Sequence, residues 1–480
     1  MVKQASQFIR NLQGGMIQPV DYSILPVGSC YLSVNFVFNK ILGRAILRDG
    51  ITQVGSQITS GMTCLGLYSH ITTTGIKVPL ALFNASGGAT AVLSKYTSSA
   101  WSSAKTGLTA STKMRFETFL DTTVGINGTD AISTADGSNF VTSGGNLDIG
   151  NMPKGTMVKE FLDRVYVAGV SGNLDRVYYS GISDGSTVSW TSGNGYIDIE
   201  PEEGTGKITA LAKVPGYLLI FKERSLKRYD ASTTYPESLM LIGTPSQESV
   251  VSTNKSCYFF NKRGIYETIG AYPRKISKKI QPIIDAIDPT YYTSVSSWGD
   301  GERVFFSIGD ITIMDLSLTN CVIMYDIDSQ VWTVLSFPKE FTNWGQLVDS
   351  NGEDFIIAGD NDGNVQKVME GTGDNGQSIN YILQWHPEEF EQRGRLKDVS
   401  RVIVFSKFIR NGNLRCRVDE QGKFEDLGNI QKEYQELKEF KSLKGHTFEF
   451  RIQGSGTNCQ VIGLEVPDMN INLNFNTENN

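Results

Sequence analysis

The sequence predicts an all-β chain, a β-propeller followed by a C-terminal β-sandwich with few short helices, and three observations carry that reading. Ser, Thr, Gly, Asn and Asp cluster roughly every 10 to 15 residues in a chain with 49 glycines, so short strands are joined by tight turns. Several strands open a hairpin of one design, spaced roughly 40 to 55 residues apart, the length that four strands and their connections occupy in a propeller blade. Beyond about residue 371 the pattern shifts to longer alternating strands, which suit a sandwich.

Taken in order, residues 1–59 are expected to be an N-terminal arm whose first strands close the propeller of residues 60–370. Residues 69–115 are so rich in Ser, Thr and Ala that the pattern does not locate the strands within them. The clearest strands alternate aromatic and aliphatic side chains, which suit a pleated, half-buried surface: 164–168 (RVYVA), 176–180 (RVYYS), 217–221 (YLLIF), 257–260 (CYFF), 303–307 (RVFFS), 321–325 (CVIMY) and 354–358 (DFIIA). The segments 220–226 (IFKERSL) and 259–265 (FFNKRGI) align residue for residue, and hairpin centres fall near Val167, Ile220, Phe259, Phe306 and Ile357. An array of loosely similar sandwich hairpins is the competing explanation. Ile280, Ile283, Ile284 and Ile287 lie at i, i+3, i+4 and i+7 and predict a helix over 278–287, with Pro282 tolerable in its first turn. The charged segment 432–441 (KEYQELKEFK) is a second helix candidate. The connector EGTGDNGQS leads into the sandwich, 378–468, and 469–480 reads as a polar tail.

The 40% hydrophobic and 20% charged composition excludes a disordered tail and a membrane bundle. With 44 Lys and Arg against 51 Asp and Glu, the net charge of −7 argues against a dedicated duplex-DNA binder, though not against a surface that DNA slides past. No apolar run has the length of a signal peptide or a membrane span, so cytoplasmic synthesis without membrane insertion is expected. The sequons at Asn84, Asn127 and Asn254 are then chance matches. Six cysteines without a CxxC pair read as free buried thiols.

Catalytic, cofactor and metal sites are not expected. His70, His386 and His446 lie far apart and form no ligand spacing, and no GxSxG elbow or phosphate loop occurs; Gly204 and Gly206 follow acidic residues. The run 360–364 (DNDGN) opens like a calcium loop but lacks the twelfth-position glutamate, and D-G favours a hairpin turn. The carboxylate pairs Glu202/Glu203 and Glu388/Glu389 fall in polar loops. The first half of the sandwich carries Arg393, Arg395, Lys397, Arg401, Lys407, Arg410, Arg415 and Arg417 against Glu391 and Asp398. That stretch reads as a solvated sheet face or as a docking surface for an acidic partner.

Four phrases in succession resemble the propeller-containing tail proteins of tailed bacteriophages, variously called tail nozzle, tail tubular protein B or packaged-DNA stabilisation protein. SCYLSVNFVFNKILGRAILRDGI is similar to the family's opening, with an Arg-x-Gly turn at Arg48 and Gly50. The acidic-Gly loop and LLIFKERS strand carry Phe221, Lys222, Glu223, Arg224 and Ser225. The following blade, ending in an I-S-x-x-I helix, carries Phe260, Arg263, Gly264 and Tyr266, and CVIMYDIDSQVWTVL carries Tyr325, Asp326 and Trp332.

The resemblance implies a structural virion protein of the tail. It would form a ring, of six copies, that retains packaged DNA and lets it pass on infection without sequence readout. Adaptor and fibre or spike proteins would flank it. A cyclic ring needs two different surfaces per subunit, and Arg401, Arg410 and Arg415 are the candidate interface residues. A net-negative wall suits a conduit, since a basic bore would grip the phosphates. Two other classes stand beside it: a carbohydrate-binding or adhesin-type propeller, if Trp101, Trp190, Trp298, Trp344 and Trp385 line an exposed groove, and a propeller hydrolase, if acids cluster in the central channel.

Overall fold

The computed structural model describes residues 2–4, 6–10, 12–18, 28–39, 41–97, 99–200, 204–233, 235–349, 351–390, 394–409, 411–431 and 434–471. Arg393, Arg410, Glu202, Glu203, Glu391, the first two residues of the 432–441 segment and residues 472–480 lie outside them.

Seven inner strands follow one another around a closed ring. They are β1 (Cys64–Ile71), β2 (Arg115–Phe119), β3 (Met157–Phe161), β4 (Ile208–Val214), β5 (Val250–Ser252), β6 (Ser296–Gly299) and β7 (Phe341–Val348), and β7 returns to lie beside β1. Each starts an antiparallel sheet running outward. Among the described residues, six of these sheets carry four strands as blades, and the sheet of β2 has three. The last blade borrows its outer strand from the N-terminal region: Ile51–Gln53 pairs antiparallel with Val365–Val368, which joins the two ends of the ring.

The expected hairpin centres all fall in the second strands of the third to seventh sheets. Packing explains the unbroken apolar run of 217–221. Leu218 and Ile220 face the third blade, alongside Tyr166 and Val177, while Leu219 and Phe221 face the fifth, alongside Cys257 and Phe259. The rings of Phe221 and Phe259 meet edge-on at 5.0 Å. A strand covered on both faces needs no polar alternation. The aligned repeat has advanced by one layer in the next blade, where Phe259 takes the face that Ile220 takes in its own blade.

The first blade occupies the Ser/Thr/Ala-rich region, with strands Cys64–Ile71, Lys77–Asn84, Ala91–Thr97 and Ala100–Leu108. The predicted helix over 278–287 forms as a 3-10 turn, Ser277–Ile280, followed by α1 (Gln281–Asp285), and its four isoleucines are buried. The second candidate helix is a strand instead. Glu436–Gly445 pairs with Lys397–Lys407, turning Phe440 and Leu443 toward the core while Glu439, Lys441 and Lys444 face solvent. Charges spaced for a helix face serve a sheet edge equally well.

Residues 379–471 form the sandwich, although not a separate one. The sheet of the sixth blade continues through Leu32–Val34, which pairs with the blade at Val334 and with Ile379–Gln384 on its other side, and then runs on to Phe448–Gly456 and Gly412–Val418. The second sheet centres on Lys397–Lys407 and takes Val2–Gln4, Gln7–Arg10 and the hairpin Phe36–Asn39/Arg44–Leu47 from the arm. Most of the arm therefore builds the sandwich, and one apolar core spans sandwich and sixth blade. The expected polar tail starts later than residue 469, because Met469–Ile471 is a strand with both end residues buried.

Candidate functional site

The propeller axis holds a cavity of about 260 Å³ lined by residues from all seven inner strands. A short 3-10 turn, Gln247–Ser249, projects into it. The Gln247 side chain accepts from the Leu211 N–H at 2.8 Å and donates to the Leu211 carbonyl at 3.0 Å. Arg115 grips Glu248 with two nitrogens, at 2.7 and 3.0 Å, and donates to the Thr156 carbonyl at 2.7 Å. Burial pushes the Glu248 carboxyl up, but the Arg115 and Lys113 charges outweigh it and hold the group down to about 2. Glu117 is paired with Lys159 at 2.7 Å, and Glu160 with Lys213. The acids near the axis are thus matched by cations rather than left to share a proton.

A second cluster joins propeller to sandwich. Arg48 is fully buried and donates to Asp374 at 2.8 and 2.7 Å, to Asn35 Oδ1 at 2.9 Å and to the Ser336 carbonyl at 2.9 Å, with its guanidinium 4.2 Å from the Phe337 ring centre. One side chain therefore ties the arm, the end of the sixth blade and the connector. Gly50, the other residue of the Arg-x-Gly turn, exchanges backbone bonds with Gly371 and Glu370, and a Cβ there would stand 2.0 Å from the Gly373 carbonyl oxygen. The connector is consequently a fastened segment, with Gly373 and Asp374 buried.

The remaining motif residues serve the blades. Phe221, Ser225, Phe260, Gly264 and Tyr266 are buried, while Glu223, Arg224 and Arg263 are exposed at turns. The sequence places Lys222 at the turn with Glu223 and Arg224, tolerant of substitution, but it belongs to the strand Tyr217–Lys222. It ends its strand at 1% exposure, donating to the Ile199 carbonyl at 2.9 Å and pairing with Asp175 at 2.9 Å. The neighbouring Lys227 is equally buried and pairs with Glu200. Gly264 takes the place that Ser225 has in the previous blade because its φ of +147° disfavours a side chain, which would strike Lys275 and Ser277. Tyr325 and Trp332 are register partners with ring centres 4.5 Å apart, and Asp326 accepts from the Ser329 N–H at 2.7 Å to close their turn.

The basic stretch does not form one face. Arg401 lies on Lys397–Lys407 and Arg415 on Gly412–Val418, which belong to different sheets. Arg401 is paired with Glu439 at 3.0 Å and Asp468 at 3.4 Å, Arg417 with Glu449, and Lys397 is buried against the carbonyls of Arg395 and His446. Period 2 along the strands aims these residues at separate surfaces, and the local excess of charge in the sequence carries no sign of it. The tryptophans likewise do not gather in one exposed groove: Trp190, Trp344 and Trp385 are buried, Trp298 is half-buried at the axial cavity, and Trp101 is half-buried with its Nε1 donating to the Val54 carbonyl at 2.7 Å. All six cysteines are free and buried. In 360–364 the Asp360 carboxylate accepts from the N–H groups of Asp362 and Asn364 at 2.9 and 2.8 Å, forming a hairpin turn.

Sequence reasoning missed the cation pairs of the axis and the Arg48–Asp374 pairing. Their partners lie far apart in the chain, and only the Arg-x-Gly phrase marked one half of the second.

No protein-family model matches this chain, and no curated protein matches it. Among solved structures it is similar to the N-terminal domain of Nup159, at 10% identity and a TM-score of 0.37, over 70% of this chain and 98% of that one. It is similar to PorZ, a surface component of the type-IX secretion system of Porphyromonas gingivalis, at 12% identity and a TM-score of 0.39, over 70% of this chain and 42% of that one. A third is the extracellular domain of the two component system BT4673 from B. thetaiotaomicron, at 9% identity and a TM-score of 0.43, over 85% of this chain and 58% of that one. At such identities these likenesses say nothing of function, and the propeller assignment rests on the sheet order described above.

Proposed function

We propose that this chain is a structural subunit of a bacteriophage tail. Copies of it would form a ring of six, a nozzle or connector that retains packaged DNA and lets it pass on infection. The succession of sequence phrases similar to the tail-propeller family suggests the role. The observation that carries it physically is the shared sheet and the Arg48 fastening, which make propeller and sandwich one stiff wall element. A ring wall under the pressure of packaged DNA needs stiffness between its parts more than it needs a reactive centre. The subunit's own axis is crossed by the Arg115–Glu248 pair, so the DNA path belongs to the opening between subunits. The partners would be the tail adaptor and fibres or spikes, and the location the virion tail after synthesis in the host cytoplasm.

The adhesin-type alternative loses the aromatic groove that motivated it, since three of its five tryptophans are buried. At the ring contact, Arg401 and Arg415 would serve separate sheets of the sandwich, and Arg410 lies outside the described residues. Negative-stain imaging of the purified protein and of the parent particle tests the reading: rings with a central pore, and the protein found in virions at ring stoichiometry, are expected. A protein absent from virions overturns it.

A further inference from the structure

We propose that a slot between the sixth and seventh blades binds the ring of a neutral sugar. The slot has a volume of about 270 Å³ and lies at one face of the propeller, where the inner strands β5 and β6 end and β7 nears its end. It is smaller than the about 300–1,000 Å³ of sites for drug-sized ligands, which suits a single ring.

Strand alternation decides which side chains share the slot. Trp298 is the register partner of Phe305, and Arg303 stands two residues before Phe305, so all three lie on the side of the seventh blade. Gln346 and Ile356 are register partners, with Asp354 two residues before Ile356, and these lie on the side of the sixth. Ile356 gives the slot an apolar floor, which continues into the core with Phe305 and Trp344. Trp298 is half-buried and stands between this slot and the axial cavity, lining both.

The polar groups of the slot are unspent. Among the described residues, no hydrogen bond or ion pair engages the side chains of Gln346, Asp354 or Asn254, which also lines the slot. Trp298 Nε1 is equally unengaged, whereas Nε1 of Trp101, Trp190 and Trp344 is bonded at 2.7 to 3.2 Å. Arg303 is held in place by Asp300, whose Oδ2 accepts from its Nε at 3.0 Å and its Nη2 at 2.7 Å. The other oxygen of Asp300 accepts from the N–H groups of Glu302 and Arg303, so Asp300 is occupied by its own turn and Asp354 is the open carboxylate.

A sugar ring matches this set. Its C–H face lies well on an indole, and each hydroxyl both donates and accepts, so a vicinal pair can meet a carboxylate together with an amide or guanidinium. Two carboxylates against one guanidinium disfavour an acidic sugar or a phosphate, and Arg303 disfavours a cation. The slot asks for one indole rather than a groove of several. It is independent of the tail reading, because a single subunit holds every residue of it.

Saturation-transfer NMR on the full chain tests the site, with glucose, galactose, mannose and N-acetylglucosamine as probes and sialic acid as the acidic control. At least one neutral sugar should receive saturation and titrate with a Kd of about 1–10 mM, and sialic acid should not. Asp354→Asn and Gln346→Ala should each weaken that sugar by about tenfold while the thermal melt stays unchanged, and Glu223→Gln, at a turn of the fourth blade, should leave binding as it is. No transfer to any of the four sugars, equal transfer to sialic acid, or binding indifferent to both Asp354→Asn and Gln346→Ala each overturns the site.

Discussion

The fourth blade and the propeller–sandwich junction solve the same problem, holding one layer to the next, with opposite chemistry. In the blade, successive residues of 218–221 alternate between two apolar layers, and the pattern recurs one layer further on in the fifth blade. At the junction a buried guanidinium meets a carboxylate 326 residues away and gathers the arm, the sixth blade and the connector around it. Apolar layers are forgiving, because many small contacts share the load. A buried ion pair is not, since loss of one partner leaves the other charge desolvated and unmatched.

The largest effects should come from breaking each solution at its centre. Phe221→Ala removes a fully buried ring between two blades and should cost about 3–5 kcal/mol in urea unfolding. An unchanged midpoint would remove the two-faced strand. Asp374→Ala should cost a similar ~3–5 kcal/mol by stranding Arg48. It should also open 371–376 to limited proteolysis, whereas the wild-type connector resists cleavage; a readily cut wild-type connector would contradict the fastening.

An intermediate effect is expected where the blade borrows the junction's chemistry. Lys222→Ala should cost about 1–3 kcal/mol, because the Ile199 carbonyl loses its donor inside the protein. Within the sandwich, desolvation raises the Glu388 carboxyl to about 7. Between its ordinary value near 4.5 and about 7 the folded state holds more protons there than the unfolded state, so this group makes stability fall as pH rises through that window. His386, which burial lowers to about 4, acts in the opposite sense from about 4 to 6.5. The Glu388→Gln difference from wild type isolates the first: the variant should gain stability at about pH 8 and match wild type at about pH 4. Equal gain at both values would exclude titration as the cause. The smallest effect belongs to the exposed turn, where neutral substitutions at Glu223 or Arg224 should change stability by no more than about 0.5 kcal/mol.

Much of this contrast was legible in advance on one side only. The second strands of five blades announced themselves because a strand buried on both faces writes a continuous apolar run into the sequence. The first blade was illegible for a physical reason. Its pairing shifts register between Leu82 and Phe83 and again around Leu93, and each bulge breaks the period of 2. Its outer strand offers small polar residues to solvent and so carries little hydrophobic signal. The charged run before residue 441 fitted a helix face and a sheet edge alike until pairing with Lys397–Lys407 decided it.

The sequence by itself determined the all-β class, the hairpin repeat, the isoleucine face of the helix and the burial of the cysteines, because each rests on spacing within a few residues or on composition. Only the tertiary structure decided that the arm completes the sandwich, that Ile51–Gln53 closes the last blade, that Lys222 is buried and that Arg48 finds Asp374. Those outcomes depend on pairings between segments hundreds of residues apart, and no local period or propensity records which distant strand or carboxylate a residue will meet.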